Sequence, residues 1–414
     1  MRIAVVGSGI AGLASAWLLG RRHEVTLFEA DDRLGGHTDT HRVRTNSGEW
    51  HVDSGFIVCN RAHYPLLFRM FDQLGVATQP TVMTFSAQDE ARNREYNAGS
   101  LAGLLFQPRN LVAPWFWRML ADIARFYREA PRLLDGPGAG PTLGQFLDAG
   151  GYSEVFREQH LIPMASALWS TPTARVPEFP ARYLAQFMAN HSMLQITGRP
   201  EWLAVTGGSS RYIDAIRRAW RAEERAGDGV RAVHREGGRV RIASKSGESV
   251  FDHVVLACHA DQALGLLDDA SASEREVLGA FEFQQNETLL HTDTRVLPRN
   301  RKLWAAWNAH IPSDRSAAAS VSYCMNILQS LKAPETFCVT LNRSAAVDPA
   351  RVLAKRNYAH PLYTHASVAA QARLAEIQNV NATSFAGAYW GWGFHEDGIR
   401  SAVDVARGLG VEWT

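Results

Sequence analysis

Among the residues of this 414-residue chain that could do chemistry, the most telling spacing is Gly7-x-Gly9-x-x-Gly12, followed by Glu29. A glycine at position 7 permits a tight turn. One at position 9 lets a pyrophosphate approach the backbone, and one at position 12 lets a helix lie close on a strand. A carboxylate at position 29 can accept hydrogen bonds from ribose hydroxyls, and its charge disfavours a 2′-phosphate. The chemistry is the holding of a dinucleotide, FAD or NAD rather than NADP.

The elements around these residues agree with that task. Residues 3–6 are a short apolar run of the kind found in buried parallel strands. Residues 13–19 form an apolar helical stretch, and residues 25–28 a second strand that ends at Glu29. The three make a βαβ unit whose helix start offers free N–H groups and a positive dipole end to phosphates.

Past the acid, Arg33-Leu34-Gly35-Gly36-His37 sets a glycine pair after an arginine. The pair allows close approach of something bulky, and a guanidinium can fork onto a phosphate. This second glycine site separates a flavin reading from a plain NAD reading. With it the sequence resembles the flavin amine oxidase superfamily, which includes amine oxidases, protoporphyrinogen oxidase and the carotenoid desaturases. The resemblance implies FAD contacts at Gly7, Gly9, Ile10, Ala11 and Gly12, and at Glu29, Ala30, Arg33, Gly35, Gly36, His37 and Thr38. It also implies that Gly55, Phe56 and Ile57 lie beside the flavin ring. Asp53 reads as structural, capping a turn.

The C-terminal motif carries the same resemblance. Phe385-Ala386-Gly387 reads as a strand end, and Asp397-Gly398 as the start of a helix that runs to position 409. The match implies flavin or ribityl contacts at Gly387, Glu396, Asp397, Gly398 and Ile399, where a helix dipole can stabilise an anionic reduced ring. It also implies that Val230 meets the adenine. The paired aromatic cage of amine oxidases is not identifiable; Tyr389, Trp390 and Trp392 are the candidates for the substrate pocket. His395 and His37 are the ionisable groups closest in sequence to the inferred flavin contacts, so they are the candidates for a base.

The expected fold is α/β. A Rossmann-type FAD-binding domain (1–80, 203–271 and 376–414) carries an inserted α+β substrate domain (81–202 and 272–375) with an antiparallel sheet and a helical cap. Residues 60–74 have helical spacing, with Gly75 as the stop. Residues 230–258 read as a three-stranded meander with turns at 237–238 and 246–247 and a last strand at 254–258, while the resemblance makes the run 254–260 the return strand beneath the FAD. Strands are expected at 287–294, 303–308, 321–328 and 337–341. The polar side chains His291, Asp293, Asn308, Asn326 and Asn342 on them could face a pocket or a solvated sheet surface.

Residues 101–127 admit two readings. Trp115, Phe116, Met119, Leu120, Ile123, Phe126 and Tyr127 could pack a helix into its own domain. Alternatively Trp115-Phe116-Trp117, flanked by Arg109 and Arg118, could rest in a lipid headgroup region as a peripheral membrane contact. The apolar run 160–169 is expected to pack the cap or line the substrate cavity.

Composition narrows the classes. A net charge of +1 gives no pull toward nucleic acid. Four scattered cysteines offer neither a disulfide framework nor zinc spacing, so no metal is expected and a reducing cytosol fits. No catalytic triad or nucleophile elbow is visible. The whole chain is similar to a group of bacterial FAD-binding proteins, some of them associated with modified membrane fatty acids. Three functions remain open at this point. One is hydride removal from a large apolar substrate such as an acyl chain; the others are amine oxidation and a flavin-binding accessory role without turnover.

Overall fold

The computed structural model describes residues 1–99, 108–136, 139–195, 197–314 and 320–414. Its core is a five-stranded parallel sheet. The strands lie in the order Glu223–Arg225, Glu24–Phe28, Arg2–Val6, His253–Leu256, Thr383–Phe385. The first strand of the chain is therefore central, paired on one side with Glu24–Phe28 and on the other with His253–Leu256. Its residues alternate between two cores. Ile3 and Val5 pack with the helices Ile10–Leu19 and His395–Gly408 on one face. Ala4 and Val6 pack with Val233, Ile242 and Phe281 on the other. Burial on both faces is why this strand reads as an unbroken apolar run rather than an alternating one.

The meander differs from expectation in its third strand. The antiparallel sheet is Val230–Glu236, Arg239–Ser244 and Gly247–Phe251. The run expected to close it, His253–Leu256, instead crosses to the parallel sheet beside Arg2–Val6. Its four residues are all buried, which suits a sheet covered on both faces.

A second, seven-stranded sheet holds Phe85–Asp89 and Arg94–Asn97 at one edge and Val352–Leu362 at the other. It is not purely antiparallel, because Phe85–Asp89 pairs in parallel with Trp307–Ile311. Two expectations shift here. Residues 303–308 supply a 3₁₀ turn and then the beginning of the strand Trp307–Ile311, and the strand Ser320–Cys324 passes into the short helix Met325–Leu328. The longest strand, Val352–Leu362, was not anticipated. It contains Lys355, Arg356, Asn357 and Pro361, a composition that hides a strand, and it is held by long pairing with Glu282–His291.

Helix Pro65–Leu74 ends at Gly75 in the left-handed conformation (φ 68°), as its sequence predicts. The segment 101–107 lies outside the described residues. Helix Pro114–Glu129 buries Phe116 and Met119 against Ala87, Tyr96 and Ala309 of the second sheet. Its other side is open, with Trp117 53% exposed and Val112, just before the helix, 84% exposed. Asp122 belongs to the buried face: its carboxylate receives the Ser153 N–H at 3.0 Å and pairs with Arg125 at 3.0 Å. No helix among the described residues is long and apolar enough to cross a membrane.

Candidate active site

The two glycine motifs meet in space. The Gly35 N–H donates to the Ser8 carbonyl and to Ser8 Oγ, both at 3.1 Å. Ser8 in turn donates from its N–H at 2.9 Å and its hydroxyl at 2.5 Å to Glu29, whose other oxygen takes the Asp31 N–H. The acid at the end of the second strand thus ties down the turn between the first strand and its helix. Gly7 has φ +100°, a value that favours glycine. A Cβ on Gly12 would run into the Gly7 carbonyl oxygen, so this glycine sets how close helix and strand can lie. A Cβ on Gly9 would have no atom within 4 Å. The backbone there is bare toward the cavity, which is what a diphosphate needs.

Two helices open at the same place. Gly398, in the first turn of His395–Gly408, has no room for a Cβ because Ile10 Cγ2 would stand 2.7 Å away. The free N–H ends of both helices are therefore brought together. Gly9, Ile10, Ala11, Gly35, His37, Gly55, Phe56, Ile57, Gly387, Tyr389 and His395 all line one cavity of about 630 Å³. Backbone without side chains and two helix starts form a donor set that fits the diphosphate of FAD, and Glu29 stands behind it at the end of the second strand, holding the Ser8 turn.

Other residues of the implied contact set stand elsewhere. Arg33 turns its guanidinium to the Gly36 carbonyl at 2.8 Å and the Thr38 carbonyl at 3.2 Å, shaping the second glycine turn instead of reaching outward. Glu396 accepts the Leu66 and Leu67 N–H groups at 3.0 Å and so caps helix Pro65–Leu74. Asp397 accepts the Trp392 and Phe394 N–H groups at 3.1 Å and pairs with Arg400. Ile399 is buried in the core between the two helices. Val230 lies outside the cavity wall, at the start of its strand, next to Gly229, which abuts Ala30. Gly7, Gly12, Gly36 and Thr38 shape the cradle from behind it.

Two of the three aromatic pocket candidates do not reach the cavity. Trp390 packs on Phe281 and Tyr389. Trp392 packs on Phe187 and His191. Around the 3₁₀ turn Ala388–Trp390 the chain turns away from the cavity: Ala388 and Tyr389 line it and Trp390 does not, so of the three aromatic candidates Tyr389 alone faces it. The polar residues expected on the second sheet turn into it instead. His291 bonds Thr340 at 2.8 Å, Asn308 bonds Ser86 at 2.8 Å, Asp293 pairs with Arg295, and Asn326 holds the Glu335 carbonyl.

The two base candidates differ. His395 Nε2 lies 3.0 Å from Thr38 Oγ1 and 3.2 Å from the Tyr212 hydroxyl, and its ring stacks on Phe56 at 3.6 Å. It is committed to the protein. His37 keeps a buried Nε2 with no partner. Burial above all pushes both down to about 3, with His259 and Arg33 adding to it at His37 and His37 adding to it at His395, so both are neutral. Sequence reasoning missed the groups around His37. Its ring lies 5.0 Å from His360, 5.1 Å from Tyr358 and 5.8 Å from His259. Asn342 Nδ2 donates to Asn286 Oδ1, and Asn286 Nδ2 donates to His360 Nδ1 at 2.8 Å, leaving the His360 proton on Nε2. The available signal was the period-two run Tyr358, His360, Leu362, one face of a single strand. These histidines do not make a metal site; no such cluster occurs among the described residues.

Away from the cradle the cavity passes between the second sheet and the helices between Glu154 and Asn190. Its wall there carries Tyr127, His160, Met164, Leu168, Phe187, Trp202, Trp307 and Tyr323. The apolar run 160–169, formed by the π-turn Arg157–Leu161 and helix Ile162–Trp169, thus serves both as core and as cavity wall.

The flavin containing amine oxidoreductase family matches residues 10–285 of this chain. An L-amino-acid oxidase of Pseudechis australis is 46% identical over 55 residues, 13% of this chain and 10% of its own length. AofH of Mycobacterium tuberculosis, assigned as a flavin-containing monoamine oxidase, is 26% identical over 270 residues, 62% of this chain and 56% of its own. The chain thus spans little more than half the length of these curated relatives at most. Two solved structures share the fold over 99% of both chains. One is a CLA-producing fatty acid isomerase from P. acnes (TM-score 0.70, 14% identity). The other is the cyclohexylamine oxidase of Brevibacterium oxydans IH-35A (TM-score 0.67, 16% identity). The chain belongs to the flavin containing amine oxidoreductase family, a flavin-dependent oxidoreductase by class with FAD as its cofactor.

Proposed function

We propose that this oxidoreductase removes hydride from a C–H bond of a large apolar substrate, with an acyl chain as the leading candidate. The supporting observation is the composition of the cavity beyond the cradle. Its wall is mostly aromatic and aliphatic, and among the described residues its one carboxylate is Glu201, exposed at the rim. When bound, FAD supplies the hydride acceptor at N5 of its ring. The chain's own part is to bind, orient and exclude water. The bare backbone at Gly9, Ile10 and Ala11 would hold the diphosphate, and Glu29 the ribose. Gly35, His37, Gly55, Phe56, Ile57 and Gly387 would flank the rest of the cofactor. His37 Nε2 and the His360 Nε2–H offer one acceptor and one donor within the cavity wall. The segments 1–80, 203–271 and 376–414 would carry the cofactor, and 81–202 and 272–375 the substrate.

Leu111, Val112 and Trp117, exposed beside Arg118, support a peripheral contact with an anionic lipid surface, hence a position on the cytoplasmic face of a membrane. The rival reading, oxidation of an amine, is supported by the family itself and by Glu201 at the rim. Anaerobic mixing of the holoenzyme with acyl lipids, and separately with mono- and polyamines, decides between them. Bleaching of the visible flavin band by an acyl substrate is expected. Bleaching by amines alone would overturn the apolar reading.

A further inference from the structure

The substrate half of the cavity is not uniformly apolar. Arg199 stands at its wall, in the irregular segment that follows helix Ala181–Asn190. Its Nε donates to the Gln195 carbonyl at 3.0 Å, and its guanidinium also donates to the Tyr127 hydroxyl. No carboxylate pairs with it among the described residues. An arginine left without a counter-ion beside an apolar channel is a fixed positive charge for whatever enters.

A second group faces the same space. His160 is buried and lines the cavity, and its Nε2 has no hydrogen-bond partner. The Tyr96 hydroxyl gives its proton to the Gln159 carbonyl at 2.6 Å, so at 3.1 Å it can only accept from His160 Nδ1. Nε2 is therefore a bare lone pair in the wall. Burial first, and the charge of Arg199 second, keep this ring neutral, at about 4. A buried acceptor without a partner calls for a donor from water or ligand. The polar feature of the substrate end is thus a cation, a phenol and an uncharged imidazole. A ligand ammonium could satisfy the imidazole but would lie beside a guanidinium, whereas an oxyanion would meet two donors, with a proton or a water of its own facing His160. Arg199 and Glu201 both stand exposed at the rim, with no ion pair between them, whereas Tyr127 is half-buried and His160 buried.

We infer that Arg199 and Tyr127 form a head-group subsite, which takes a carboxylate or phosphate oxyanion at one end of an otherwise apolar substrate. This rests on the reading of the cavity as a channel for a large apolar molecule. It names Arg199 as a specificity-determining residue, one that sets the sign of the charge the substrate carries.

The test is equilibrium binding to the holoenzyme, followed by perturbation of the flavin spectrum. The probes are oleate, oleoyl lysophosphatidate, oleyl alcohol and oleylamine. One or both anions are expected to bind about tenfold more tightly than the alcohol, the size of one charge-assisted contact. The tighter anion identifies carboxylate or phosphate as the head. Arg199→Ala should erase that margin and leave the alcohol unchanged, and Arg199→Lys should keep part of it. Equal weakening of anions and alcohol by Arg199→Ala would overturn the subsite, reducing Arg199 to a shaper of the channel. Tightest binding of oleylamine would overturn its sign. If no probe shifts the wild-type spectrum, the apolar-channel reading itself fails, a result distinct from either.

Discussion

At the cradle end of the cavity, Gly9, Ile10 and Ala11 are consecutive, and Gly35, His37 and Gly55 to Ile57 follow within the same stretch of chain. At the substrate end, Tyr127, His160, Phe187, Trp202, Trp307 and Tyr323 converge from widely separated elements. The cradle works through what is missing: no side chain at Gly9, no Cβ at Gly12. The far end works through what is present, large rings packed against one another, such as Trp307 edge to face with Tyr323 at 5.9 Å. Backbone geometry has few solutions, so a diphosphate cradle is written in a fixed spacing. A wall of side chains has many solutions, so the same fold can surround very different molecules. The shared fold with both a fatty acid isomerase and an amine oxidase is that freedom at work.

Three experiments would break or sharpen the contrast. The largest effect is expected from paired glycine variants. Gly12→Ala puts a methyl group into the Gly7 carbonyl, so the first strand and its helix must separate, and soluble folded protein should be lost. Gly9→Ala adds the same methyl to open space. Its fold and apoprotein melting temperature should be unchanged, while FAD affinity falls about tenfold or more because the methyl obstructs the diphosphate. Similar FAD affinity in Gly9→Ala and wild type would show that the cradle is not where the phosphates lie.

Next comes Leu168→Trp at the substrate end. Leu168 lines the cavity and is half-buried. Filling that space should leave FAD content and the flavin spectrum as they are, while kcat/KM for a long acyl substrate drops by about tenfold or more, the scale of an overpacking cost. Loss of FAD instead would mean that the two ends are one packing unit.

The smallest effect concerns pH. Burial holds His37, His360 and His395 at about 3 and His259 at about 4. The ordinary histidine value is about 6.5. Below it, the unfolded chain binds more protons than the folded one, so stability is intact above about pH 6.5 and declines as pH falls toward 4. Asp53, raised to about 7 by burial, works in the opposite direction over much of that range. Burial lowers His160, His191, His253, His291 and His310 as well, to about 4, while Glu396 and Asp397 join Asp53 on the other side; the histidines outnumber the carboxyls, and a net fall in melting temperature on acidification is expected. The diphosphate of bound FAD favours charged imidazoles nearby, so the holoprotein should lose less than the apoprotein. Equal pH slopes would place the histidines away from the cofactor.

What could be read from the sequence follows the same division. The βαβ unit, the second glycine pair and the helix near Asp397 were legible because turn geometry and helix starts impose residue types locally. The individual roles of Glu396, Asp397 and Arg33 were not, because a capping carboxylate and a ligand-binding one have the same letter. Nothing near Glu396 in sequence announces that it will cap helix Pro65–Leu74. Strand Val352–Leu362 was missed because its charged and proline residues contradict strand preference, and only tertiary pairing overrides it. Trp390 and Trp392 looked equivalent to Tyr389, and a single 3₁₀ turn separates their fates. Arg199 carried no signal, since an arginine in a loop is ordinary until the wall opposite it is known.

The position of the first strand has a consequence for how the protein is made. Arg2–Val6 leaves the ribosome well before its neighbour in the sheet: one of its edges waits for His253–Leu256, and that strand's outer edge waits for Thr383–Phe385. At about 5–20 residues per second, the first wait alone lasts on the order of ten to fifty seconds. Through that interval an apolar strand edge stands open beside a helix that lacks its packing partner, His395–Gly408. Nascent chains of this protein should therefore depend on holding chaperones, and FAD capture should wait for helix His395–Gly408, because the second of the two helix starts that frame the cradle is synthesised long after the first, at Ile10.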